Sequence, residues 1–194
     1  MTGIKKNQVG FTLLESVIVV AALGIVAAFS VPSIVNAMRA HRVNIGLRTV
    51  ADTINRAKMT AVSENRRTGI ALDPENRQIG VIFYNDDNTF ERVEYRPLPD
   101  GVSFDRPNTT SRPAGVTGDD EVSFPIDSEY GVYTLNFSAR GMPINAFGTT
   151  ESIFVGNGRD YRALTISTVG GLRAYHLDES TSTWTWINSS SRSH

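Results

Sequence analysis

The most constraining feature of the sequence is an apolar run close to its N-terminus, from Phe11 to Val31. The run has 21 residues, and a helix of that length, rising about 1.5 Å per residue, spans the hydrocarbon core of about 30 Å of a lipid bilayer. A secretory signal peptide has a shorter apolar region of about 7–15 residues. Because Ala21-Ala22 and Ala27-Ala28 weakly mimic a signal cleavage site, ordinary signal cleavage stays an alternative. We predict one membrane-spanning helix.

The charges before this run predict its orientation. Lys5 and Lys6 precede the apolar residues, and no acidic residue accompanies them. Basic residues flanking a membrane span tend to stay in the cytoplasm. We therefore expect a cytoplasmic N-terminus and an exported remainder.

Glu15 is an acidic residue placed inside the apolar run. An ionised carboxylate within a membrane costs about 2.5–3.5 kcal/mol on insertion scales, and such residues usually mark a function with a specific partner. The alternative is an interfacial glutamate one turn into the helix, which the helix dipole favours slightly. The neighbouring residues bear on this choice.

Gly10, followed by Phe11-Thr12-Leu13-Leu14-Glu15, resembles the processing site of type IV pilins and type II secretion pseudopilins. The resemblance implies that prepilin peptidase, a membrane-embedded aspartyl peptidase, cuts between Gly10 and Phe11 and converts Phe11 to N-methylphenylalanine. It also implies that Glu15 pairs with the terminal amine of a neighbouring subunit. A buried carboxylate is tolerated where it meets a cation in the same low-dielectric layer.

Two further residues in this region, Gly24 and Pro32, fall where many pilins carry helix-weakening residues. In a helix interior, glycine costs about 1 kcal/mol and proline about 3 kcal/mol relative to alanine. We therefore expect that this part of the helix can stretch during assembly.

The helical pattern continues from Ser33 to about Asn65, now with a single apolar face. Apolar residues recur at intervals of four and three residues, which indicates an amphipathic helix packed on its own domain. Together with the membrane segment, this predicts a helix of about 54 residues, roughly 80 Å long. The predicted apolar face comprises Val43, Leu47, Val50, Ile54, Ala57 and Ala61.

Beyond Arg66 the pattern changes to short β-rich segments separated by turn residues. The predicted fold class is α+β, with a long N-terminal helix packed on a β-sheet-rich globular head, the pilin fold. The predicted organisation is a cleaved leader (1–10), a transmembrane and assembly half-helix (11–32), an amphipathic half-helix (33–65), a β-rich head (66–188) and a disordered tail (189–194). The predicted strands are Thr68–Leu72, Gln78–Tyr84, Phe90–Arg96, Val132–Phe137, Ser152–Val155, Ala163–Ser167 and Leu172–Leu177, with a short edge strand at Trp184–Trp186.

The second half of the chain is similar, in short segments, to the GspH/FimT group of minor pilins and pseudopilins. The segments are Leu47–Val62, Leu135–Gly141 and Leu164–Arg173. Some FimT members bind DNA through a Gly-Arg-x-Arg turn, and the corresponding residues here, Gly170-Gly171-Leu172-Arg173, lack one of the two arginines.

Three arginines, Arg159, Arg162 and Arg173, are candidates for a DNA-contacting group near the last turns of the sheet. Guanidinium groups suit planar pairing with phosphate or carboxylate. The alternative is ordinary surface ion pairing. The composition does not indicate a general polyanion binder, because removal of Lys5 and Lys6 leaves 17 basic against 20 acidic side chains.

The sequence carries no recognisable catalytic constellation, and we expect neither enzymatic activity nor a cofactor. Cysteine is absent, so no disulfide or thiolate chemistry is available. His41, His176 and His194 are far apart, and no metal site is predicted. Turn and solvation roles are expected for Asp86-Asp87 and Asp119-Asp120-Glu121, with calcium binding as the alternative.

The sequence thus predicts a structural minor pilin or pseudopilin of a type II secretion pseudopilus or a type IV pilus. Its expected partners are prepilin peptidase, other pilins or pseudopilins through the N-terminal helix, and the membrane as a single-pass anchor. The expected location is the bacterial inner membrane, with the head in the periplasm, and later the filament. The alternatives are a DNA-binding minor pilin for DNA uptake and a plain single-pass anchored β-domain protein.

Overall fold

A computed structural model describes residues 12–116, 120–127, 131–144, 150–178 and 180–187. Within them, one long helix is followed by antiparallel sheets, which confirms the predicted α+β fold class. The leader, with Gly10 and Phe11, and the residues from 188 onward lie outside the described residues. The elements are α1 (Leu13–Ser63), β1 (Thr68–Asp73), β2 (Gln78–Tyr84), β3 (Phe90–Pro97), β4 (Ile126–Asp127), β5 (Val132–Phe137), β6 (Glu151–Gly156), β7 (Tyr161–Ile166), β8 (Leu172–Asp178) and β9 (Thr183–Trp186).

Helix α1 has recognisable signals at both ends. Thr12 precedes it, and the Thr12 hydroxyl oxygen accepts a hydrogen bond from the Glu15 amide at 3.3 Å, as an N-cap residue does. At the other end, Asn65 adopts a left-handed conformation with φ of 50°, and the Arg66 amide donates to the Ala61 carbonyl at 3.1 Å. This arrangement is a Schellman turn, which ends the helix at Ser63.

The strands form two sheets, whereas the sequence pattern predicted a β-rich head without assigning strands to sheets. The first sheet has the order β3-β2-β1-β5-β4, and the second has the order β6-β7-β8-β9. All pairings are antiparallel. Strand β4 was missed by the sequence analysis because a pair of residues is too short to show an alternating pattern.

Two turns of the head have clear backbone features. The Asn85 amide donates to the Thr89 carbonyl at 2.9 Å, and Asn88 has a φ of 62°, so residues 85–89 form the turn that joins β2 to β3. Gly170 has a φ of 81°, a conformation that a residue with a Cβ rarely adopts, and it lies in the turn between β7 and β8.

One apolar core joins the lower half of α1 to both sheets. The six predicted face residues of α1 are all buried. They belong to one cluster with Ile70 and Phe83 of the first sheet and with Ile153 and Leu164 of the second. The prediction of an amphipathic half-helix packed on its own domain is therefore correct.

A second, smaller apolar cluster covers the other face of the second sheet. It contains Val116, Phe154, Ala163 and Tyr175, with Trp184 packed against it. The Trp184 indole nitrogen donates to the Ser111 carbonyl at 3.0 Å, so the long loop after Phe104 is anchored on this face. The sequence pattern did not predict this packing.

Contacts divide the chain into two compact units, with the boundary between Met38 and Arg39. The first unit contains the upper part of α1. The second contains the lower part of α1 and all nine described strands.

Candidate functional site

The upper part of α1 is an apolar helix whose described side chains face outward. Every side chain that the structure describes between Thr12 and Arg39 is exposed. Leu13 is 84% exposed, and Leu23, Ile25 and Val26 are each more than 60% exposed. By length and composition, α1 is able to cross a membrane. Such a surface requires a lipid or protein covering, because exposed apolar patches of this size are rare on isolated soluble proteins.

Glu15 lies in the first turn of α1 and is exposed. Its amide is held by the Thr12 hydroxyl oxygen at 3.3 Å, and the Ser16 hydroxyl donates to the Thr12 carbonyl at 3.4 Å. The spacing of Thr12 and Glu15 is that of a capping box, and an acid in the first turn also interacts favourably with the helix dipole. Glu15 therefore has a local role in starting the helix, and its carboxylate remains accessible to a further partner.

The two residues expected to weaken the helix, Gly24 and Pro32, both lie within continuous α1. A Cβ added at Gly24 would meet no atom within 4 Å. Pro32 has no amide hydrogen, so the carbonyl four residues earlier loses its usual donor. Nearby, the Ser30 hydroxyl donates to the Val26 carbonyl at 2.9 Å, a bond that is often found where helices bend.

The structure does not bring the three candidate arginines together. Arg162 pairs with His176 in the β7–β8 ladder, whereas Arg173 pairs with Thr165. Because consecutive residues of a strand point to opposite faces, this register places Arg162 and Arg173 on opposite faces of the second sheet. Arg159 lies in the exposed turn between β6 and β7. The expected convergence of these residues is therefore not found.

Each of the two strand arginines has a structural environment of its own. The Arg162 Nε donates to Asn44 Oδ1 of α1 at 3.0 Å, and burial lowers the pKa of Arg162. The Arg173 guanidinium lies 5.8 Å from the centre of the Trp186 ring. Arg162 thus fastens the second sheet to the helix, and Arg173 packs on the edge strand.

The segments Leu47–Val62, Leu135–Gly141 and Leu164–Arg173 meet at the end of α1. The Lys58 Nζ donates to the Gly170 carbonyl at 2.5 Å. A Cβ added at Gly170 would lie 3.2 Å from the Gly141 carbonyl oxygen, and one added at Gly141 would lie 3.2 Å from Val62 Cγ2. Both glycines also have positive φ. These segments therefore form a structural junction between the helix and two turns.

No group of three or more potential metal-binding side chains is present among the described residues. His176 lies half-buried on β8, and burial, then the positive charge of Arg162, lowers the pKa of its imidazole. Asp120 and Glu121 are exposed, and Asp119 lies outside the described residues.

Sequence reasoning missed a concavity on the first sheet, on the face turned away from α1. It has a volume of about 810 Å³ and contains Arg67, Tyr84, Tyr95 and Asn136 among its lining residues. The available signal was a pair of in-strand glycines, Gly69 and Gly80, because glycine within a strand often marks a close approach to the sheet.

No protein-family description and no curated protein matches the chain. A solved structure of the minor pseudopilin EpsH from the type 2 secretion system of Vibrio cholerae is similar to it, with 12% sequence identity and a TM-score of 0.44. The similarity covers 70% of this chain and 99% of that chain. Because the identity is this low, the function proposed below rests on this chain's own residues.

Proposed function

We propose that this chain is a membrane-anchored, pilin-like subunit that assembles into a pseudopilus or pilus through the upper part of α1. The observation that carries the proposal is the exposure of the whole described apolar segment up to Met38, together with one carboxylate near its start. In a plain anchor Glu15 would serve only to start the helix, and its charge is costly in lipid. A filament core provides both an apolar covering and a counter-charge.

The proposal includes processing at the N-terminus. Prepilin peptidase cuts between Gly10 and Phe11, methylates Phe11, and leaves an amine that pairs with Glu15 of a neighbouring subunit. The support is the sequence around the cut, since Gly10 and Phe11 lie outside the described residues. The head acts as a structural and recognition domain, without catalysis.

Mass spectrometry of the protein purified from its native host tests processing. We expect a mature chain that begins at methylated Phe11. A Gly10→Leu variant is the matched control, because it changes the residue before the cut and should retain the leader. An intact Met1 terminus on the unmodified protein would contradict the proposal and favour a plain single-pass anchor.

The Glu15→Ala variant tests assembly separately from insertion. Removing the carboxylate lowers the cost of membrane insertion, so the amount in the membrane should stay equal or rise. Incorporation into sheared filaments should fall, because the amine of the neighbouring subunit loses its partner. Glu64→Ala is the control, since Glu64 lies just beyond the end of α1. Normal incorporation of Glu15→Ala would remove the ion pair from the proposal.

Orientation in the inner membrane also belongs to the proposal. Lys5 and Lys6 favour a cytoplasmic N-terminus, but Arg39, Arg42 and Arg48 follow the apolar segment on its other side. A direct test uses single cysteines, because the native chain has none. Cysteine at Asn108, an exposed loop position of the head, should react with a membrane-impermeant maleimide added to the periplasm. Labelling only after the inner membrane is opened would show that the head lies in the cytoplasm, which is the opposite orientation.

A further inference from the structure

The apolar segment of α1 is followed directly by basic residues. Arg39 and Arg42 come next after Met38, and no acidic residue occurs between Glu15 and Asp52. Both arginines are exposed. The second compact unit of the chain begins at Arg39, so both residues belong to the same unit as the strands. The first turn of α1 in this unit therefore carries positive charge without any acidic neighbour along the helix.

A turn of the second sheet adds a third arginine at this end of α1. Residues 157–160 join β6 to β7, and Arg159 is exposed in this turn. The Asn157 Nδ2 donates to the Arg39 carbonyl at 3.3 Å, so the turn is docked on α1. The Asn157 Oδ1 accepts hydrogen bonds from the Arg159 amide at 3.0 Å and the Asp160 amide at 2.8 Å, which fix the shape of the turn. Arg39, Arg42 and Arg159 are here called the basic collar.

The arginines of the basic collar have no ion-pair partner among the described residues. No carboxylate there lies within ion-pair distance of Arg39, Arg42 or Arg159. Arg66 and Arg92, by contrast, each pair with two carboxylates of the head. An exposed guanidinium without such a partner keeps its planar set of donors available for an external phosphate or carboxylate.

Two carboxylates at the same end of the second sheet, Asp160 and Asp178, have partners of their own. Asp160 Oδ2 accepts a hydrogen bond from Asn157 Nδ2 at 3.4 Å. Asp178 Oδ1 accepts from the Ser180 amide at 2.9 Å and from the Ser180 hydroxyl at 2.7 Å. Burial lowers the pKa of Arg162, and the charge of Asp160 opposes that shift. These carboxylates therefore serve the turns and Arg162 rather than the basic collar.

The loop after β3 carries two more carboxylates, Asp100 and Asp105. A Cβ added at Gly156 would lie 3.4 Å from the Asp105 carbonyl oxygen, so this part of the loop lies beside the end of β6. Among the described residues, neither carboxylate forms an ion pair with the basic collar. The collar thus presents three guanidinium groups that no described carboxylate of the head pairs with.

The position of the basic collar along α1 corresponds to the headgroup layer of a bilayer. The chain has 23 uncharged residues between Glu15 and Arg39, and about 20 helical residues cross the hydrocarbon core. With Glu15 at one interface, the core ends near Val35. At about 1.5 Å per residue, Arg39 follows about 6 Å further along the helix, within a headgroup layer that is about 5–7 Å thick on each side. Helical side chains lean toward the helix N-terminus, so the Arg42 side chain also extends toward this layer.

We propose that the basic collar binds the phosphate groups of anionic phospholipids in the membrane leaflet next to the head. The proposal rests on the membrane anchoring proposed above, because a helix that spans the bilayer brings the residues after its apolar segment to the headgroups. Guanidinium groups match phosphate geometry, and each basic residue near an anionic membrane surface is worth about a fivefold preference. The contacts hold this end of the head at the membrane surface until the subunit leaves the bilayer.

Spin-labelled lipids measure the preference in phosphatidylcholine vesicles that contain the full chain. Lys5 and Lys6 are replaced by glutamine in every sample, because they attract the same lipids at the other end of the apolar segment. The fraction of immobilised label should give an association constant about fivefold higher for phosphatidylglycerol than for phosphatidylcholine. Salt at about 1 M should remove the preference, because the Debye length falls to about 3 Å. Equal association of the two lipids at low salt would overturn the proposal.

Substitutions assign the preference to the collar. Arg39→Gln/Arg42→Gln should bring the ratio of the two association constants close to one, and Arg159→Gln alone should lower it. The matched control is Arg140→Gln/Arg173→Gln, which removes two exposed arginines near turns that contact the last turns of α1 and should preserve the ratio. A preference that survives Arg39→Gln/Arg42→Gln, or that is lost in the control, would overturn the proposal.

A stability measurement excludes an internal partner for the collar. In micelles of a neutral detergent, Arg39→Gln/Arg42→Gln should leave the denaturant midpoint of the head unchanged, whereas Arg66→Gln should lower it because Glu64 and Glu91 lose their partner. A lowered midpoint for the double variant would reveal a carboxylate of this chain as the partner and overturn the proposal.

The same vesicles separate this inference from the proposed function. A chain that alkaline carbonate extracts from the vesicles is not anchored, which would contradict the proposed function itself. A chain that stays in the vesicles without preferring phosphatidylglycerol would overturn the collar alone. If that chain also loses filament incorporation in Arg39→Gln/Arg42→Gln, the arginines contact an acidic surface of a neighbouring subunit instead of lipid.

Discussion

The two halves of α1 differ in how their apolar residues are distributed around the helix and in whether those residues are buried. In the lower half, apolar residues occupy one face, and those residues are buried against the two sheets. In the upper half, apolar residues surround the helix, and all described side chains are exposed. A helix with apolar residues on one face can bury that face against its own domain. A helix that is apolar on all sides needs to be covered on all sides. The upper half therefore needs a covering of lipid or protein.

This comparison also distinguishes two settings in which a charged side chain has an energetic cost. Glu15 in the upper half and Arg67 in the head are both charged groups in partly apolar surroundings. Glu15 is exposed in the single chain, so its cost arises only after membrane insertion. Arg67 is already partly buried, so its cost is present in the folded head. We propose an external counter-charge for Glu15, and the Glu15→Ala test above addresses it.

The largest expected effect comes from removing a core side chain in the lower half. Ile54 is completely buried in the cluster that joins α1 to both sheets. Ile54→Ala should lower the free energy of unfolding of the head by about 2–5 kcal/mol. Ile25→Ala, an identical change in the exposed upper half, should leave head unfolding unaltered. Denaturant titration of the full chain in micelles measures both, and equal effects would contradict the division between the halves.

A smaller effect, of opposite sign in the two regions, is expected from glycine-to-alanine substitutions. Gly69→Ala places a Cβ 2.5 Å from Asn136 Oδ1 and should destabilise the head by about 1–3 kcal/mol. Gly24→Ala meets no atom within 4 Å and should stabilise the helix by up to about 1 kcal/mol. Head unfolding reports the first substitution, and helical circular dichroism in micelles reports the second. A destabilised helix in Gly24→Ala would indicate a packing role for that glycine.

The smallest effect concerns pH and belongs to the head. Burial, and then the charge of Arg162, lowers the pKa of His176, while Asp178 and Asp160 oppose this shift. The unfolded chain therefore binds a proton more readily than the folded head. The contribution of His176 is fully present above the usual histidine pKa of about 6.5 and is lost as the pH falls toward the lower folded value.

Urea titrations between pH 7.5 and pH 5 test this slope. His176→Gln should reduce the loss of stability on acidification, whereas His41→Gln, at an exposed position of α1, should not. An unchanged slope in His176→Gln would assign the acid sensitivity to other groups.

Much of the fold was predictable because helices and strands produce a regular spacing of apolar residues that is visible in the local sequence. Intervals of three and four residues identified the buried face of α1, and alternating β-rich segments identified most strands within two residues of their bounds. Strand β4 and the division into two sheets were not predictable, since strand pairing depends on contacts between residues far apart in the chain.

The candidate sites show the same limit. Arg159, Arg162 and Arg173 are close in sequence, and that proximity suggested one basic group. The register of β7 and β8 places them apart. Arg162 pairs with His176, and Arg173 lies three residues before His176 in β8. Because side chains alternate between the faces of a strand, Arg162 and Arg173 lie on opposite faces of the sheet. The concavity on the first sheet illustrates the reverse case, since Arg67 and Asn136 are distant in sequence and line one surface.

The sequence by itself determined the long helix, its exposed apolar half, the lone carboxylate at its start and the β-rich head, because these depend on composition and period along a local segment. The tertiary structure alone decided which faces the arginines occupy, how Lys58, Gly141 and Gly170 meet, and where a groove opens on the first sheet. Those features depend on strand register and side-chain packing, and both are set by contacts across the whole head rather than by neighbours in the chain.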